Sequence, residues 1–198
     1  MTRFRLRWGV SCIVVGGLLM IILWLILTTS HGATSFNEDR SVLGGSMLLW
    51  GMLLGSVPNL LIAGGLVLLS SSLMPTGGRL ARAGFVLVLI GLVVSATVDL
   101  IIQALGAPFF VPVVGIGLIL LAVGIREDQR VGKLSRYLLL FIGLVLVVAF
   151  VWALVPSALT DPIGGYRIYG CLAHFAAGMG WVLFGITMIR PLVPVGRG

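Results

Sequence analysis

Apolar runs of about twenty residues, divided by short segments that hold nearly every charge, decide what this chain can fold into. Lipid offers no water to backbone N–H and C=O groups, so a segment that crosses it must satisfy them internally. The runs are unbroken rather than alternating, which selects helices over barrel strands. They predict helices over 8–28, 51–74, 83–104, 108–125, 137–156 and 166–189. The expected fold class is all-α: a polytopic transmembrane bundle of about six helices.

Composition agrees. Hydrophobic residues make up 59% of the 198 positions, charged ones only 10%, and the mean hydropathy is +1.19. A water-soluble domain of this size has too few polar groups here to cover itself. The weakly apolar stretches near 29–41 and 126–136 are loop-sized, so residues 1–198 read as a single transmembrane domain. The N-terminal Arg3, Arg5 and Arg7 precede a run longer than a signal-peptide core, and 30–33 make a poor cleavage site. A retained first helix is expected.

The net charge of +7 is set beside the apolar runs and not on a polar face. That placement reads as an orientation signal and as contact with anionic lipid, and it argues against nucleic acid. With the N-terminus inside, eleven of the 13 basic residues fall in cytoplasmic segments, leaving Arg40 and Arg167 outside. Both termini are therefore expected in the cytoplasm, in what reads as a bacterial cytoplasmic membrane.

One segment fits less simply. Residues 41–74 carry no charge over 34 positions, too many for one plain span and too few for two. The expectation is one crossing helix behind an apolar leader, Leu43 to Gly55, that tilts, lies at the interface or re-enters, with a bend at Pro58-Asn59. The entries Arg5-Leu6-Arg7, Arg79-Leu80-Ala81-Arg82 and Lys133-Leu134-Ser135-Arg136 resemble one another. Together with glycine-rich returning helices they raise the prospect of three α-hairpin repeats.

Candidate chemistry is sparse. Asp99 is the one acidic residue well inside an apolar run, and a carboxylate there must face the protein interior, find a partner or take up a proton. Ser95, Asp99 and Gln103 are spaced by four on one helix face. Arg167, Cys171 and His174 are expected to share a face of the last helix, continued by Gly178 and Trp181. Topology puts Asp99 and His174 at compatible depths, roughly 7–12 Å below the outer surface. Asn59, beside Pro58, completes the candidate set. Three roles compete: a packing network in which Asp99 meets Arg167, a proton or substrate pathway through Asp99 and His174, and a metal site built on Cys171-x-x-His174.

Most of the tryptophans and tyrosines read as interfacial belt residues, Trp24, Trp181 and Tyr169 among them. Cys12 and Cys171 are expected at opposite faces, roughly 15 Å or more apart and unable to bridge. There is no phosphate-binding loop and no catalytic-triad spacing, and the sole lysine, Lys133, sits in a loop. No cofactor is expected, and the chain leans away from enzymes. Its partners are the lipid bilayer and, beyond that, a second copy or another membrane protein. The leading expectation is a small non-enzymatic accessory, assembly or stress-related factor; the alternative is a small transporter or channel.

Overall fold

The computed structural model describes residues 3–30, 41–42, 44–74, 78–102, 108–126, 131–155 and 165–189. Within them lie six helices: α1 (Arg3–Ser30), α2 (Met47–Leu73), α3 (Arg79–Ile102), α4 (Val111–Gly124), α5 (Lys133–Ala153) and α6. The last is composite, running as Gly165–Gly170, a π-helical stretch Cys171–Ala176, and Ala177–Ile189. Five helices are long and apolar enough to cross a membrane. The fourth, α4, has 14 residues, about 21 Å of helix against a hydrocarbon core of about 30 Å. The longer span expected over 108–125 is thus shortened, because Pro108–Phe110 forms a 3-10 turn and Pro112 sits in the first helical turn.

Each helix is antiparallel to both of its neighbours, and the neighbours close a ring in chain order, α6 returning to α1. The contacts that close it are made by glycines. A Cβ on Gly84 of α3 would stand 2.6 Å from the Gly117 carbonyl oxygen of α4. One on Gly17 of α1 would stand 2.7 Å from the Gly178 carbonyl oxygen of α6. Lipid is as apolar as leucine, so helices in it gain little by hiding apolar surface and associate through such close backbone packing.

Both faces of the helices are apolar. On α5, Leu139, Ile142, Leu146 and Ala149 are buried, whereas Phe141, Leu144, Val148 and Val151 are exposed. A surface of this kind suits hydrocarbon rather than water.

The charge-free stretch from Ser41 begins with a hairpin. Ser41–Val42 and Gly45–Ser46 pair as a minute antiparallel ladder, with Gly44 at φ +79° in its turn, where a side chain would be strained. Ser46 then caps α2, its hydroxyl accepting from the Leu49 N–H at 3.1 Å. The expected apolar leader is continuous with the crossing segment: from Met47 it forms the first turns of one 27-residue helix that stays helical through Pro58. At about 40 Å it exceeds the hydrocarbon core, and the part of it long and apolar enough to cross is Gly55–Leu73.

Helices α1, α3 and α5 begin at Arg3, Arg79 and Lys133, a turn earlier than the apolar runs. No acidic residue occupies their first turns, although the helix dipole favours one there. With antiparallel neighbours, Arg3, Arg5, Arg7, Arg79, Arg82, Arg126, Lys133 and Arg136 all gather at one end of the ring.

Candidate functional site

Toward the other end, all six helices contribute to one cavity of about 50 Å³, room for roughly three waters. Its wall includes Met20 from α1, Gly55 and Asn59 from α2, and Leu92, Ser95 and Asp99 from α3. Opposite stand Val111 and Val114 of α4, Leu146 of α5, and Tyr169, Ala173, His174, Ala177 and Trp181 of α6. Five polar side chains thus meet inside an otherwise apolar bundle.

Asp99 is buried, with 1% of its surface exposed. Its carboxylate fits because the facing residue has no side chain: a Cβ on Gly55 would lie 2.6 Å from Asp99 Oδ2. One residue on, the buried Ser56 hydroxyl donates to the Ala96 carbonyl at 2.9 Å and ties α2 to α3 at the same level. The Asn59 side chain donates back to the Gly55 carbonyl at 2.8 Å. That bond lies beside Pro58, which has no N–H to give to the preceding turn.

Across the cavity the π-helical stretch sets the register of α6. Its widened turn ends where the Ala177 N–H meets the carbonyls of Leu172 and His174. The extra residue rotates the helix beyond it, and such turns recur at functional sites. His174, within this stretch, lines the cavity, half-buried, with its ring edge-on to Tyr169 at 6.2 Å and 90°. Cys171 is turned out and exposed. Of the single face expected for Arg167, Cys171 and His174, the two residues whose side chains are described stand apart: Cys171 is exposed and His174 lines the cavity.

Of the predicted site residues, Asp99, His174, Asn59 and Ser95 are brought together. Arg167 falls in the first helical turn of α6, but its side chain lies outside the described residues, as does the whole of Gln103. Among the described residues no three of His, Cys, Asp and Glu converge as metal ligands.

Tyr169 was missed because an aromatic residue near a helix end reads as a belt residue, and Trp181, though expected to continue the His174 face, reads as belt as well. Both are buried, 2% and 1% exposed, and both line the cavity. Trp24 is buried too, its ring laid against Gly170. The available signal was spacing: Tyr169, Ala173, Ala177 and Trp181 recur every four residues on the inner stripe of α6.

Toward the basic end the cavity gives way to packed hydrocarbon. Trp181 stacks edge-on with the fully buried Phe184 at 6.0 Å, and Ile13, Ile62, Leu66, Leu118 and Leu139 fill the ring beyond. Below them Ser135 and Thr187 share a hydrogen bond of 2.9 Å that joins α5 to α6.

No protein-family model matches the chain, and neither the curated proteins nor the solved structures offer a match.

Proposed function

We propose that this chain is a six-span integral membrane protein, both termini cytoplasmic, that passes protons or a small polar solute by way of the Asp99–His174 cavity. The convergence of six helices on one buried carboxylate and one imidazole is the observation that carries this reading. A carboxylate inside a bilayer is expensive, and packing alone is served more cheaply by an apolar side chain. Imidazole changes charge near neutrality and makes a natural proton partner. The short α4 begins at the cavity, so the positive end of its dipole favours negative charge there.

Eight basic residues at one end support placing that end in the cytoplasm of a bacterial cell membrane, with the cavity in the outer half. The apolar packing around Trp181 and Phe184 then forms the barrier that any passage must open. Access is expected from the outside.

In a Cys12→Ser, Cys171→Ser background, Ser95→Cys should react with a small membrane-impermeant thiosulfonate added outside. Protection from the outside together with reaction from within would overturn this reading.

The accessory or assembly role keeps one specific support. Ile101 and Phe109, 75% and 72% exposed, stand out at the cavity end on either side of the short α3–α4 connection, a patch suited to a partner helix. A co-purifying membrane protein lost on Ile101→Ser and Phe109→Ser would favour it.

A further inference from the structure

At the basic end, outside the cavity, α4 and α5 part to leave an open groove of about 270 Å³. Its polar lining is Arg126, Arg136 and Tyr137, and its floor is Ala122, Val123 and Leu140. Arg136 is held in place twice. Its Nη1 donates to the Arg126 carbonyl oxygen at 2.6 Å, and its guanidinium lies 5.4 Å from the centroid of the Tyr137 ring. A guanidinium fixed by one nitrogen and one ring face keeps several N–H donors for an anion, with little side-chain freedom left to lose. Arg126 is exposed beside it. Below the two cations the wall turns wholly apolar.

From this arrangement we infer that the α4–α5 groove is a binding site for one anionic phospholipid. The phosphodiester sits between Arg126 and Arg136, the Tyr137 ring lies at headgroup level, and an acyl chain runs down over Val123 and Leu140. Two features choose a lipid over a soluble phosphate: cations and apolar floor are continuous, and the floor belongs to helices apolar enough to lie in a bilayer. Charge complementarity selects an anionic headgroup. The connecting segment 126–136 holds four basic residues against two acidic, so it favours an anion as a whole. The inference rests on the membrane reading of the chain and is independent of the Asp99–His174 cavity.

Native mass spectrometry of the full chain in detergent, titrated with phosphatidylglycerol or phosphatidylcholine of matched acyl chains, tests it. The first phosphatidylglycerol should bind about tenfold more tightly than phosphatidylcholine, as one charge-assisted contact implies. Arg126→Gln and Arg136→Gln should each remove roughly that factor, with Arg136→Lys falling between. Arg5→Gln, on α1 across the ring, should leave the affinity unchanged. Should Arg136→Gln unfold, Arg126→Gln decides, because Arg136 bonds to the backbone of Arg126 and not to its side chain. Equal binding of the two lipids, or an equal loss with Arg5→Gln, would overturn the site. Displacement of the lipid by millimolar glycerol phosphate would also overturn it, in favour of a soluble-phosphate site.

Discussion

The Asp99 carboxylate rests against the bare Cα of Gly55, so closely that a Cβ there would stand 2.6 Å from Oδ2. Asp99 has a short side chain, and its helix is bonded to α2 close by, from Ser56, next to Gly55, to Ala96, three residues before Asp99. It has little room to yield. Gly55→Ala is therefore expected to destabilise the protein by about 1–3 kcal/mol, measured as thermal unfolding in detergent. Gly55→Ala combined with Asp99→Ala should cost less than the two changes summed, because the second relieves the clash of the first. Strict additivity would separate the two residues energetically.

The glycines of α2 and α3 offer a contrast within one fold. A Cβ on Gly84 would run into the backbone of α4 at Gly117 and Leu121, neither of which can swing aside. Gly84→Ala should force the helices apart and cost about 2 kcal/mol or more. Gly64, in α2, faces open space. Gly64→Ala should be neutral or stabilising by up to about 1 kcal/mol through helix propensity. Melting temperatures of the two variants, taken side by side, check both.

Cys171 is exposed while His174 lines the cavity. Cys171→Ser is accordingly expected to leave stability and transport unchanged, and purified protein should hold no stoichiometric metal by elemental analysis. Metal that co-purifies and is lost with Cys171→Ser would show that the two residues act together after all.

Much of the architecture is visible in the amino-acid order because the bilayer constrains it so heavily. The apolar runs could only be helices, and the Arg and Lys residues mark one end of nearly every hairpin. Asp99 and His174 also stood out, since charge and imidazole are rare in such runs. Other features depended on local geometry that hydropathy does not carry. The π turn at Cys171–Ala176 leaves no apolar signature, and hydropathy does not tell that His174 lines the cavity while Cys171 is exposed. Trp181 and Tyr169 read as belt residues because aromatic side chains suit both an interface and a core. The charge-free stretch after Ser41 blurred the start of α2, which a serine cap and a two-residue hairpin set at Met47. The α-hairpin repeat remains a proposal resting on sequence likeness.

Proton flux into liposomes bearing the purified protein, with an imposed pH gradient and a trapped pH-sensitive dye, tests the central claim most directly. The wild-type chain should dissipate the gradient faster than empty liposomes. Asp99→Asn and His174→Ala should each abolish that excess while the variants still fold and insert, as judged by their melting in detergent. Flux that survives both substitutions, together with a fall in melting temperature, would contradict the account and leave Asp99 and His174 as structural links between α3 and α6.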